Sequence, residues 1–169
     1  MSSGNGVSTK LKEQVETQRG KLIISRRIFD LISQMHVASV GKEWSGIPIY
    51  SVNGSYADVE NLSIEILDIV PMNIGSATYT EFNFNLAEDK YLGEKLAWAM
   101  DNNLPYGCIH SHNSMTTFFS GTDTDDLHEN SEKMDAYLSV IVNYKHNLSD
   151  WCAKVGIFGE ENIEGFVTT

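Results

Sequence analysis

The stretch Leu62–Val70 constrains the fold more than any other part of the chain. Leu62, Ile64 and Ile66 fall on one side of it, with Glu65 between them. A period of two sends alternate side chains to opposite faces, so the segment reads as a strand with one buried face, ended by Pro71. Such a strand needs partners along its edges and a layer over its apolar face. The rest of the sequence supplies both. Lys21–Ile24, Gly46–Val52, Thr78–Phe84, Tyr106–His112, Ala136–Asn143 and Trp151–Phe158 read as further strands. Pro48 puts the second of these at an edge or a bulge, and Asn53-Gly54 after it is a tight-turn signal. Three segments carry the helical period instead. Ser25 caps a helix to about Ala38, with Ile28, Leu31, Ile32 and Met35 on one face and Gly41 as its breaker. Asn85, with Glu88 three residues on, opens a helix to about Asp101 that buries Leu92, Leu96, Ala99 and Met100. A third helix spans about Asp123 to Lys133. The order is β-α-β-β-β-α-β-loop-α-β-β, an α/β chain with a single-domain mixed β-sheet flanked by helices. Residues 1–20 read as a flexible lead-in with a short helix near Lys12–Thr17, and residues 21–169 as the domain.

Composition narrows the functions open to this fold. The chain has 169 residues, 41% apolar and 21% charged, enough for one hydrophobic core. No apolar run approaches the length needed to cross a bilayer. The first residues lack an apolar secretory core, so the cytoplasm is the expected location. Cys108 and Cys152 are too few for a disulfide framework or a four-thiolate metal site, and both sit in apolar strand-like runs, so two reduced thiols are expected. The formal net charge is −11. Nucleic-acid binding needs a basic surface, so neither nucleic acid nor membrane is an expected partner. The charge suits a basic protein or peptide partner, or serves solubility alone. The sequence sets no oligomeric state.

The chemistry concentrates in Tyr106-Gly-Cys-Ile-His-Ser-His-Asn-Ser-Met-Thr-Thr-Phe-Phe-Ser-Gly-Thr-Asp123. An apolar strand runs directly into His110-Ser111-His112. Residues two apart on a strand share a face, so the two imidazoles can meet one metal ion. Asp123 follows eleven residues after His112, across a loop long enough to return a carboxylate to the strand end. Two histidines and a carboxylate make a three-ligand zinc site with a fourth position open to water, the mark of a catalytic site. Each element has a plainer reading. His-x-His alone is a weak signal, Asp123 would also cap the next helix, and Ser120 would also serve a turn. The combination at these separations points to a metal site holding one Zn2+ per chain.

The segment His110-Ser-His112, seven residues, Ser120, two residues, Asp123 resembles the JAMM motif of the MPN+ (JAB/Mov34) zinc metalloproteases, in every defined position. The likeness in element order extends from about Lys21 to Phe158. The resemblance implies a JAB/MPN, cytidine-deaminase-like architecture. It also implies hydrolysis of a peptide or isopeptide bond, with a protein or peptide substrate such as the C-terminal tail of a ubiquitin-like modifier. The family's upstream glutamate would be Glu43, which lies in Gly41-Lys-Glu-Trp-Ser-Gly. Its implied role is to take a proton from the attacking water and pass it to the leaving amine. Ser120 would donate a hydrogen bond to the tetrahedral oxyanion. Ser111, between the ligands, must face the other way and is given a structural role. Glu60, Glu65 and Glu81 are the fallback glutamates.

Two rival zinc chemistries are set aside. Nucleotide deaminases need His-x-Glu followed by Pro-Cys-x-x-Cys, and neither is present. The helical His-Glu-x-x-His signature is also missing. The chain has no room for large insertions and no further His/Cys cluster, as in minimal prokaryotic or viral members. Two other functions stay open: a non-catalytic MPN-type interaction module, and a zinc hydrolase of a small molecule. Trp98 and Trp151 are expected in the core, and Trp44 either in the core or along a substrate groove. Phe118 and Phe119 would contact substrate or anchor the loop. His128 reads as a surface residue, and His36 and His146 are isolated.

Overall fold

The computed structural model describes residues 20–74, 90–112, 117–143, 151–157, 160–164 and 167–168. The expected lead-in, the Thr78–Phe84 strand, the Asn85 cap and His146 lie outside them. The strands are β1 (Lys21–Ile23), β2 (Trp44–Asn53), β3 (Ser63–Ile74), β4 (Cys108–Ser111), β5 (Ala136–Val142), β6 (Cys152–Ile157), β7 (Glu160–Glu164) and β8 (Val167–Thr168). The helices are α1 (Arg26–Ala38), α2 (Lys90–Asp101) and α3 (Gly121–Ser131). All eight strands join one sheet in the order β7-β6-β5-β4-β2-β3-β1-β8. β1 runs parallel to β3 and β8, and β4 parallel to β5, while the other neighbours are antiparallel. The mixed α/β sheet expected from the sequence is therefore present.

Helices cover both faces of this sheet. α1 starts where expected, with the Ser25 hydroxyl accepting the Ile28 N–H. It buries Ile28, Ile32 and Met35 against Tyr50, Ile64, Ile66, Ile109, Leu138 and Val140. Gly41, at φ +77°, turns the chain after the helix in a conformation that other residues adopt at a cost. On the opposite face Leu96 and Ala99 of α2 pack on Ile47, Ile49 and Val70. Leu127 of α3 packs there on Cys108 and Tyr137. At Gly156 of β6 a Cβ would stand 2.4 Å from the Ser131 Cβ, so only glycine lets the last turn of α3 lie this close to the sheet.

Several expectations need correction. Pro71 does not end β3, which continues to Ile74; Pro71 pairs with Gly46 beside a register shift, where a missing donor is tolerated. Pro48 is not on an edge strand, because β2 lies between β3 and β4. Its carbonyl accepts the Gly107 N–H, so the donor it lacks faces the β4 side. There β4 pairs with β2 only at Ser45 and Gly46, with a lone bridge at Ile49–Tyr106. α3 begins at Gly121, and Asp123 is its third residue. Trp98 and Met100 are exposed, at 43% and 66%. The turns of α2 that meet the sheet present Leu96 and Ala99, and their chain neighbours rotate away. Trp151 is in the core, stacked on Phe29.

Tyr50 closes a gap in the sheet. Its hydroxyl donates to the Ala136 carbonyl at 2.6 Å and accepts the Leu138 N–H at 2.9 Å. β4 pairs with β5 only from Ser139 onward. Before that point a side chain from β2 supplies the bonds that a longer β4 would have made.

Candidate metal centre

β4 sends alternate side chains to opposite faces. Cys108 and His110 point toward α3, while Ile109 joins the core under α1. Just past the strand, the His112 N–H donates to the Val142 carbonyl at 2.9 Å, which carries the β4–β5 pairing one residue further. His110 and His112 thereby come onto one side, with ring centroids 5.1 Å apart. His112 is buried and His110 partly buried.

Asp123 arrives from the first turn of α3. Ser120 caps that helix, its hydroxyl accepting the Asp123 N–H at 3.2 Å. Asp123 Oδ2 in return accepts the Ser120 N–H at 2.9 Å and the Ser120 O–H at 2.8 Å. This is a capping box, with the aspartate in the position where glutamate is commoner. The other oxygen, Oδ1, lies 2.8 Å from His110 Nε2. One carboxylate thus serves two purposes, one oxygen for the helix and one for the histidine. Burial pushes the Asp123 carboxyl up, but the bond and charge of His110 and the Ser120 donors outweigh it and bring it down to about 2. The plain readings of Ser120 and Asp123 as cap residues hold, and they are compatible with a metal site.

One ligand atom from each of His110, His112 and Asp123 lies within 4.8 Å of the other two. That is the reach of a single small cation. Two imidazole nitrogens and a carboxylate oxygen, partly shielded from water, form a donor set that suits zinc and leave room for an exchangeable ligand. The residues present fit the ion.

Glu43 is the residue before β2. It is buried, at 4% exposure, which is rare for a carboxylate. Burial raises its carboxyl above the ordinary value, His110 opposes that, and Asp123 adds to it. His110 and Asp123, two of the three candidate ligands, thus act on Glu43 through their charge. Of the fallback glutamates, Glu60 is exposed, Glu65 is half-buried, and Glu81 lies outside the described residues.

Around this group the aromatic residues divide. Phe118 is 57% exposed, and its ring meets His112 edge-on at 5.1 Å. Phe119 lies under the Lys154 ammonium at 4.9 Å, which ties the approach to α3 to β6. Trp44 is core, donating from its indole to His36 Nδ1 at 3.0 Å. His36 was not legible as a partner of Trp44. Cys108 and Cys152 are free thiols raised by burial, the latter to about 11, so neither is an ionised nucleophile near neutrality. A cavity of about 640 Å³ between α1 and the β2–β3 ribbon is lined by Leu31, Met35, Trp44, Ser45 and Met72, among others. None of the three ligands lines it, so the chemistry of the donor set, not the cavity, locates the site. Among the described residues no helix is long and apolar enough to cross a membrane.

No family model matches the sequence, and no curated protein matches it. Solved structures do. A crystal structure of AF2198, a JAB1/MPN domain protein from Archaeoglobus fulgidus, aligns over 88% of this chain and 99% of its own at 13% identity; its TM-score of 0.44 is too low to carry a common fold. The solution structure of protein DSY2949 from Desulfitobacterium hafniense aligns over 88% of this chain and 92% of its own, at 10% identity and a TM-score of 0.56. The chain is similar to that protein in fold.

Proposed function

We propose that the chain is a zinc-dependent metallopeptidase of the JAMM type that hydrolyses a peptide or isopeptide bond. The observation that carries this reading is the convergence of His110, His112 and Asp123 within 4.8 Å, and the burial of Glu43 supports it. The motif His110-Ser-His112, seven residues, Ser120, two residues, Asp123 supports the same assignment, and with it a JAB/MPN, cytidine-deaminase-like fold. A bound Zn2+ would supply a Lewis acid that polarises the scissile carbonyl and lowers the pKa of a water to about 7.

The chain's own groups do the rest. His110, His112 and Asp123 hold the ion, and Ser120 holds Asp123 by two hydrogen bonds. Glu43 takes a proton from the attacking water and returns it to the leaving amine. Its burial raises its carboxyl above the ordinary value, which makes it a stronger base than an exposed glutamate. The Ser120 O–H points to Asp123 Oδ2, so donation to an oxyanion would require that bond to break. Ser120 is therefore assigned first to positioning a ligand. The net charge of −11 favours a substrate tail with basic residues. The C-terminal tail of a ubiquitin-like protein is the substrate proposed, and the cytoplasm the location.

The test begins with metal content. The purified protein should carry about one zinc per chain, and His112→Ala should lose most of it. Glu43→Gln should keep the zinc and lose at least about 100-fold in kcat on a ubiquitin-like C-terminal aminomethylcoumarin amide. Full activity in Glu43→Gln removes that residue from the mechanism. Intact zinc with no turnover on any tail-bearing substrate points to an interaction module instead.

A further inference from the structure

The ladder between β2 and β4 is short. It pairs Ser45 with His110 and Gly46 with Ile109, and stops there. Continued two residues further, the same register sets Trp44 opposite Ser111 and Glu43 opposite His112. No β2–β4 pairing holds those two positions, and on its other side Trp44 pairs with Ile74 of β3. What replaces it is a side chain: the Trp44 N–H donates to Ser111 Oγ at 2.9 Å, in a fully buried setting.

We infer that Ser111 is a positioning residue that sets Glu43 in register with the metal ligands. The Trp44 N–H belongs to the peptide plane whose other half is the Glu43 carbonyl. Fixing that plane fixes where the Glu43 side chain starts. Ser111 itself lies between His110 and His112, on the opposite face of β4 from them. A single hydroxyl therefore ties the proposed proton carrier to the strand that carries two ligands. Ser111 touches neither metal nor substrate.

A second pin acts on the same residue. The Trp44 indole N–H donates to His36 Nδ1 at 3.0 Å, and the two rings pack at 5.6 Å. An accepting Nδ1 requires the neutral imidazole. Trp44 is thus held by β4 and β3 through its backbone and by α1 through its ring. The chain between Gly41 and β2 has little freedom left at the point where Glu43 enters the site.

This inference rests on the hydrolase reading for its catalytic consequence but not for the contact itself, so the experiment has two arms. Amide hydrogen exchange on metal-free protein compares the wild type with Ser111→Ala and Ser111→Thr. The Trp44 amide should exchange at least about tenfold faster in Ser111→Ala and at the wild-type rate in Ser111→Thr, which keeps the hydroxyl. Ile109 and Ile141 amides should be unchanged, showing that β4 is folded. In the second arm the zinc-loaded proteins are assayed on the aminomethylcoumarin amide. Ser111→Ala should lose roughly tenfold to 100-fold in kcat, with KM and zinc stoichiometry unchanged, and Ser111→Thr should restore it. Added to Glu43→Gln, Ser111→Ala should cost nothing more, because both act through one group. An unchanged Trp44 exchange rate overturns the contact. An equal further loss on the Glu43→Gln background overturns positioning through Glu43. If the wild type turns over no substrate, the hydrolase reading fails, and the exchange arm still decides whether Ser111 holds this peptide plane.

Discussion

Helices α1 and α3 begin alike and are held differently. Each starts at a serine whose hydroxyl accepts the N–H three residues on, Ile28 in one case and Asp123 in the other. In α1 that third residue is apolar and goes into the core with Ile32 and Met35. The helix is seated by burial, and its cap adds a modest increment. α3 buries only Leu127 and Ser131 along its length. Its start depends more on the capping box, and the box member Asp123 has its second oxygen on His110. The same local device is purely structural in one helix and part of the site in the other. Where packing is sparse, the capping hydrogen bonds carry the placement of the functional group.

This difference can be broken most severely at Asp123. Asp123→Ala removes a ligand and half of the capping box, so zinc affinity should fall by at least about 100-fold, measured by competition with a chromophoric chelator. Metal uptake at wild-type affinity would show that Asp123 is only a cap. Ser120→Ala should come next. It deletes the cap and one of the donors on Asp123, costing about 1–2 kcal/mol of stability in urea unfolding together with a measurable loss of zinc affinity. Ser25→Ala, the matching change in α1, should cost about 1 kcal/mol or less and leave zinc affinity untouched. If the two serine variants affect zinc equally, the distinction between the helices is lost.

Acid gives a finer test on metal-free protein. The Asp123 carboxyl is held at about 2, below its ordinary 3.8. A lowered folded-state pKa means stability that is full above the unfolded value and lost as pH falls toward the folded one. The wild type should therefore lose a component of stability between about pH 4 and pH 2. Asp123→Asn should lack that component, seen as a flatter dependence of unfolding midpoint on pH. Ser25→Ala should keep it, because α1 has no acid in its first turn.

The same contrast explains what could be read from the sequence. α1 was legible because its cap and its apolar face are both written locally. The strand Leu62–Val70 was legible by alternation, but its extension through Pro71 was not, because a register shift with β2 accommodates the proline. β7 was missed because Glu160–Glu164 has one apolar residue among acidic and amide neighbours. The convergence of His110, His112 and Asp123 was legible because strand period and loop length bring them together. Glu43 was not legible from its neighbours and needed the family resemblance, since the burial that distinguishes it is created by distant residues. The Trp44–Ser111 and Tyr50–Leu138 bonds span 67 and 88 positions, and nothing local announces either.

The brevity of the β2–β4 ladder has a mechanical consequence. His110, His112 and Asp123 travel with β5, which pairs with β4 from Cys108 to Ser111 and carries α3 alongside. Glu43 travels with β2, whose ladder with β4 is two pairs long and is supplemented by the Ile49–Tyr106 bridge and the Trp44–Ser111 bond. The proposed proton carrier and the candidate ligands thus sit on strands joined by a short ladder. A slip along that ladder would move the proposed proton carrier relative to the candidate ligands while the β4–β5 pairing stayed intact. On the proposed reading, turnover could be tuned by substitution while ion binding is kept.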